Sequence, residues 1–284
     1  MRAAYHAGMD RPFVSILTDF GDREPSAAIC AGVVLSICPD AHVLELTRTI
    51  RPFAIRDGAV SLAAAVPYLP IGIHIAVVDP GVGTERLPVA IRTARGDVLV
   101  GPDNGLLSLA AASLGGALEA RAITDPAWHL PAVTPSFHGR DIFAPVAAHL
   151  ARGVALASFG PPVALGDLVE LRVPGAEVRP GELATAVVYV DGFGNVKLAG
   201  GPTELREALG DLADGTVLTA SFPGADGMPR IESIPWQDTF GRVPVGALLL
   251  YEDSLGRLCI AENQGSAGRR LGLADDRPVS IRRG

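Results

Sequence analysis

Cysteine, excess positive charge and long apolar runs are all in short supply here, and each shortage closes off a class of protein. The three cysteines, Cys30, Cys38 and Cys259, are an odd number with no CxxC spacing, and each lies among apolar neighbours. Buried thiols are therefore expected, not a disulfide framework or a metal set. The first residues, Met1 to Arg11, mix His6, Asp10 and two arginines with no long apolar core, so they resemble neither a secretory signal nor a membrane span. A cytoplasmic location and no membrane partner are the default expectations. Basic residues number 24 against 31 acidic ones, giving a formal charge of −7, and the most basic short stretches, Arg269-Arg270 and Arg282-Arg283, read as surface. Nucleic acid is not an expected partner. Phosphate grips are missing too: no GxxxxGK[ST] occurs, and Gly81-Val82-Gly83-Thr84-Glu85-Arg86 lacks the third glycine of the dinucleotide fingerprint. A phosphate-free nucleoside fits better than a nucleotide.

What the chain does have is enough apolar content, 48% of 284 residues, for a large domain and a smaller one. From Phe13 to Gly153 strand-like runs (Val14–Leu17, Val43–Leu46, Ile73–Val78, Val89–Ile91, Val98–Val100) alternate with helix-like ones (Ile29–Ile37, Ala59–Ala65, Leu106–Leu114, Ile142–Leu150). That alternation predicts an α/β fold with a mainly parallel sheet over residues 13–153. Ser26 is expected to cap the helix Ala27–Ile37, Pro39 to close it, and Gly153 to end the helix at Leu150. Residues 154–181 are rich in Pro and Gly and read as a linker. Over 182–284, short strands at Thr185–Val190, Val217–Phe222, Ala247–Glu252, Leu258–Ala261 and Val279–Arg282, with one helix at Thr203–Leu209, predict a small β-barrel or sandwich.

Five loops share one grammar, an apolar run that empties into polar residues punctuated by glycine: Thr18-Asp19-Phe20-Gly21, Asp79-Pro80-Gly81-Val82-Gly83-Thr84-Glu85-Arg86, Gly101-Pro102-Asp103-Asn104-Gly105, Phe137-His138-Gly139-Arg140-Asp141 and Asp191-Gly192-Phe193-Gly194-Asn195. Pro80 cannot continue a central strand, so Asp79 is expected at a strand's carboxyl end, where ligands of open α/β sheets collect. Asp19 offers two acceptor oxygens suited to ribose hydroxyls; turn capping is its alternative role. His138 is a candidate to orient a nucleophile, or else a structural histidine. Arg140 and Asp141 are expected to pair with each other or to cap the helix. In the fifth loop the glycines force a turn that points Asp191 and Asn195 to one side. An amide can read the edge of a base, and a carboxylate can hold an ammonium. Phe240 can stack on a base or serve as a core aromatic.

Taken together, TDFG, VVDPGVGT with Arg86, PDNG, FHGRDIFAP and DGFGN resemble the S-adenosylmethionine hydrolase family, the S-adenosylmethionine hydroxide adenosyltransferases, related to the fluorinase and chlorinase. The resemblance runs from about Val14 to Val279. It implies hydrolysis of S-adenosyl-L-methionine to adenosine and L-methionine, without cofactor or metal, in a homotrimer with active sites at subunit interfaces. It implies a catalytic set of Asp79, Arg86 and His138. Asp19 matches a ribose-binding aspartate, Asp191 and Asn195 match residues at the methionine and adenine ends, and Phe240 matches an aromatic on adenine. Ser254 matches a serine near the methionine carboxylate, and Ala261–Gln264, with Gln264 at its end, aligns with backbone at the adenine edge. Departures exist. Glu24, a candidate substrate-binding carboxylate, stands near where the family usually has an aspartate, Ser26 near where it has a tyrosine, Cys259 where hydrolases often carry Glu, and Lys197 where the halogenases have a tryptophan. Halide transfer is disfavoured, since tyrosines stand there at the positions of Asp79 and His138 and serine at Gly139. Two other readings are a metal-dependent hydrolase using Asp19, Asp79, Asp103 and His138, and a catalytically silent adenosine or S-adenosylmethionine binding protein. Against the first, no HxH or HExxH spacing occurs.

Overall fold

A computed structural model describes residues 11–224 and 227–284, so the reading of Met1–Arg11 lies, Arg11 apart, outside the described residues. The chain divides into two compact units at Leu171/Arg172. In the first unit the strands are β1 Phe13–Thr18, β2 His42–Thr47, β3 Ile73–Val77, β4 Pro88–Thr93, β5 Val98–Pro102, β6 Ala117–Ala122 and β7 Pro162–Val163, and the helices α1 Ser26–Ile37, α2 Ile55–Ala65, α3 Ser108–Ser113 and α4 Ala144–Ala151. They form one seven-stranded sheet in the order β2-β1-β3-β5-β4-β6-β7. Pairing is parallel from β2 through β5 and antiparallel from there to β7, so the expected α/β sheet is mixed.

Period-two alternation sorts the side chains of the central strands onto two faces. Val14, Ile16, Ile75 and Val77 pack in one core with Val34 of α1 and Val146 of α4. Leu17 and Ala76 pack in the other with Leu62 of α2 and Ala110 of α3. Every residue of β1 is buried, as a strand covered on both faces requires. Ser26 does not cap α1: it is the first helical residue, and Pro25 holds the capping position with no side-chain bond. A proline fits there because its φ is fixed near helical values and its missing N–H would have had no intrahelical acceptor. Gly153 does follow α4, with φ of 88°.

The second unit holds β8 Glu177–Arg179, β9 Glu182–Val190, β10 Val196–Leu198, β11 Val217–Pro223, β12 Pro229–Pro235, β13 Leu248–Glu252, β14 Leu258–Glu262 and β15 Pro278–Arg283, with α5 Pro202–Leu209 and α6 Ala267–Leu271. All pairs are antiparallel, in the order β12-β11-β15-β9-β10-β14-β13 with β8 on β9. A bridge from Trp236, just beyond β12, to Leu250 of β13 brings the sheet's ends together into a nearly closed barrel. Within 154–181, β7 belongs to the first sheet and β8 to the second. Among the described residues, no helix is long and apolar enough to cross a membrane.

One polar row crosses the first sheet. Ser15 Oγ lies 2.8 Å from His74 Nδ1, and His74 Nε2 lies 3.0 Å from Asp97 Oδ1. Asp97 also accepts from Arg95 Nε at 2.7 Å and Nη2 at 2.8 Å. All of Ser15, His74 and Asp97 are fully buried, so this serine, histidine and aspartate cannot meet a substrate; they tie β1 to β3 and to the β4–β5 turn. Burial alone would raise the Asp97 pKa, but the bonds from Arg95 and His74 outweigh it and hold the carboxyl well below its usual range. A carboxyl depressed in the folded state contributes stability above its unfolded pKa, near 4, and loses it as pH falls toward the folded value. Asp97→Asn should destabilise the protein by about 3 kcal/mol at pH 7 and flatten the loss of stability below pH ~4, read by denaturant unfolding at a series of pH values.

Candidate functional site

Parallel pairing of β1 with β3 brings the carboxyl ends of both strands to one edge, where Asp19 and Asp79 follow them. A pocket of about 90 Å³ opens there, lined by Asp19, Phe53, Asp79, Val82 and Ser136 to Gly139 among others. The loop after Asp79 doubles back through Gly83, whose φ is 76° and where an added Cβ would stand 2.6 Å from the Pro135 carbonyl oxygen. Only glycine permits that approach. It returns Arg86 to Asp79, with Nε donating to Oδ1 at 3.0 Å and Oδ2 at 3.1 Å and Nη2 also donating to Oδ2. The same Nη2 reaches His138 Nδ1 at 3.1 Å. Arg86 thus joins Asp79 to His138 across 52 residues, with its guanidinium 5.3 Å from the Phe143 ring centroid. The side chains of Arg86 and Asp79 are only 9% and 5% exposed, so this charge pair is strong and little screened. Arg86 Nη1 is buried and has no hydrogen-bond partner among the described residues.

His138 precedes a π-helical turn, Gly139–Phe143, that runs into α4. Such turns recur inside helices at functional sites. Asp141 anchors this one: it accepts from Thr134 N at 2.8 Å, Thr134 Oγ1 at 2.7 Å and Arg140 Nε at 2.6 Å. Arg140 and Asp141 therefore pair with each other. Burial raises the Asp141 pKa, but the Arg140 and Thr134 bonds outweigh it, and the group lies low. Burial, and then Arg86, push the His138 pKa down. Because Arg86 donates to Nδ1, that nitrogen carries the lone pair and Nε2 the hydrogen.

Asp19 Oδ2 accepts the Phe53 amide at 2.8 Å, and burial raises its pKa. Phe53 was not among the residues singled out in the sequence. It lines the pocket, is 71% exposed and sits at φ of 66°, a left-handed conformation rare for an aromatic. Nothing in the pattern Arg51-Pro52-Phe53-Ala54 announces that; a backbone held by Asp19 from 34 residues away does.

A second pocket, about 750 Å³, lies in the second unit and is lined by Asp191, Asn195, Phe240, Ser254 and Gln264, together with Lys197 and Asp253. The turn at Asp191 closes on its own carboxylate, whose Oδ1 accepts from Phe193 N and Asn195 N, both at 2.9 Å. Gly194 permits the turn, since an added Cβ would meet Ser266 Oγ at 2.0 Å. Phe240 packs on Tyr251 with centroids 4.9 Å apart. Cys259 is buried, with its thiol pushed up to about 11 by burial. Glu24 joins neither pocket; it is exposed in the bend before α1. Asp103 lies elsewhere, accepting Val169 N at 2.9 Å in a third pocket of about 210 Å³, so Asp19, Asp79, Asp103 and His138 do not converge. Among the described residues, no three His, Cys, Asp or Glu side chains are grouped to hold a metal.

Comparison with known proteins gives this arrangement a family. Residues 14–160 match the SAM hydroxide adenosyltransferase N-terminal domain and 185–280 the C-terminal domain. The chain belongs to the SAM hydroxide adenosyltransferase family. It is 42% identical over 267 residues to an (R)-S-adenosyl-L-methionine hydrolase of Salinispora tropica, covering 92% of this chain and 94% of that one. A fluorinase of Nocardia brasiliensis is 29% identical, with 96% and 98% covered. A crystal structure of an uncharacterized conserved protein from Thermotoga maritima superposes with a TM-score of 0.85 at 30% identity, covering 95% of this chain and all of that one.

Gly83→Ala should destabilise the first unit by about 2 kcal/mol or more, since the left-handed backbone and the Pro135 contact both oppose a methyl group; a thermal melt against wild type measures it.

Proposed function

We propose that this protein hydrolyses S-adenosyl-L-methionine to adenosine and L-methionine by in-line attack of water on C5′ of the ribose. The observation that carries the proposal is the hydrogen-bonded row Asp79–Arg86–His138 beside Asp19 at the carboxyl end of the sheet. The leaving group departs from the sulfonium as a neutral thioether and needs no proton. The nucleophile is the difficulty, because water with a pKa of about 15.7 attacks poorly unless it is oriented and loses a proton as the bond forms.

The row divides that work. His138 has its Nδ1 lone pair committed to Arg86, so Nε2–H is left as the donor that orients the water oxygen. Asp79 is the anion of the row and receives the proton late in the attack. Arg86 fixes both partners and, still cationic as Asp79 takes the proton, stabilises the hydroxide character that develops on the attacking water. Asp19, anchored by the Phe53 amide, holds the ribose hydroxyls and keeps C5′ in line. Asp191, Asn195, Phe240, Ser254 and Gln264 take the adenine and methionine ends, and Glu24 is a surface carboxylate near the entry to α1 in this reading. The family resemblance supports a homotrimer with active sites at subunit interfaces, with 13–153 as the catalytic domain and 182–284 as the small domain, and the cytoplasm is its default location. Light scattering of the purified chain tests the trimer.

Chromatography of protein incubated with S-adenosylmethionine should show equal amounts of adenosine and methionine. Asp79→Ala should lower turnover about 10²- to 10³-fold. No products from wild type would leave a binding protein.

Protonating His138 breaks the Arg86 bond, because the Nδ1 lone pair is then gone. Its pKa lies below 6.5, so activity should hold at pH 7 and fall on the acid side as pH drops through that lower value. A pH profile of kcat/KM reads this limb, which should be absent in His138→Gln.

A further inference from the structure

Of the 24 lysine and arginine residues only one is a lysine, Lys197, and it is buried. It stands on β10 opposite Tyr189 and Cys259, with its side chain 8% exposed and lining the second unit's pocket. Nζ lies 3.0 Å from Asp253 Oδ2 and 3.4 Å from Asp191 Oδ2. The two aspartates are used alike. Asp253 spends Oδ1 on the amides of Leu255 and Arg257, at 2.9 and 3.0 Å, as Asp191 spends its own on Phe193 and Asn195. Asp191 Oδ2 also accepts from Asn195 Nδ2 at 2.9 Å. A carboxylate offers roughly four acceptor sites, and Asp191 already accepts three hydrogen bonds from its own turn, so a ligand's ammonium must share what remains of it with Lys197 at 3.4 Å.

Burial opposes the charge on Lys197, and the Asp253 carboxylate 3.0 Å away outweighs it, so the ammonium stays protonated. Because the Cys259 thiol is itself neutral at pH 7, the aspartates are its charged partners. The choice of residue matters. Everywhere else the chain uses guanidinium, a broad planar fork; here alone it uses a compact tetrahedral alkylammonium, the same group that an α-amino acid carries.

We propose that Lys197 is an internal ammonium, occupying the face of Asp191 that would otherwise receive the amino group of a bound amino-acid moiety, and that this chain consequently discriminates little between sulfonium ligands with and without an α-amino group. The proposal rests on the S-adenosylmethionine reading of this pocket. Lys197 is a specificity-determining residue in this account, acting through Asp191 and not on the reacting atoms.

The test compares S-adenosylmethionine with its deaminated analogue, the same sulfonium with a butanoate chain, by calorimetric binding and by kcat/KM on the full chain. Wild type should prefer S-adenosylmethionine by less than about tenfold. Lys197→Met combined with Asp253→Asn, which removes one charge of each sign, frees Asp191 for the ligand and should raise the preference about 10- to 100-fold, the worth of a hydrogen bond to a charged group. Lys197→Arg should keep the preference small. A wild-type preference near 100-fold, or a double variant with the wild-type ratio, overturns the proposal. If the double variant does not fold, the wild-type ratio decides alone. Binding of both ligands without release of adenosine sinks the hydrolase reading but leaves the affinity ratio to judge Lys197; binding of neither sinks both.

Discussion

Arg86 can donate to both oxygens of Asp79 and to His138 at once only if three segments meet: the end of β3, the doubled-back loop through Gly83, and the π-helical turn before α4. The architecture of the first unit follows from that requirement. The parallel β1–β3 pair sets the edge, Gly83 lets the loop lie against Pro135, and Asp141 pins the turn that carries His138. An almost fully buried guanidinium is stable there because the carboxylate neutralises it and the Phe143 face covers it.

Most of this fold was legible because its strands are long, branched and buried. Where sequence reading fell short, tertiary pairing overrode local preference. β6 reads Ala-Leu-Glu-Ala-Arg-Ala, which locally favours helix, yet it is drawn into the sheet by β4. β12 is bracketed by Pro229 and Pro235 and survives as an end strand paired to β11 on one side. α6 has five residues, too few to show a period, and is announced only by its Ser266 cap. Of the candidate site residues, Asp79 was readable as a strand-end carboxylate and Arg86 as the residue that two glycines return, whereas the set that joins them to His138 was implied only by the family resemblance, because His138 lies 52 residues from Arg86. Phe53 was not readable, since its backbone is held by a contact 34 residues distant. Lys197 was visible as a departure, but its partner Asp253 was not, because no local pattern joins β10 to the turn after β13.

The two units handle charge differently. In the first, Asp79 and Arg86 form a net-neutral pair beside a neutral imidazole. In the second, two aspartates share one ammonium, and each is steadied by amides of its own turn. Turn geometry and ion pairing are the same structure there: loosening either carboxylate loosens the loop it caps.

The sheet of the first unit also carries two histidine rows of nearly the same composition. In the row of Ser15, His74 and Asp97 both ring nitrogens are engaged, and no water-accessible surface remains. In the row of Asp79, Arg86 and His138, one ring nitrogen has no protein partner described and the row borders a pocket. Completed valence makes the first a rivet and incomplete valence makes the second an instrument. Inventory of side chains would rank the buried trio as the more reactive of the two; coordination number and access reverse that ranking.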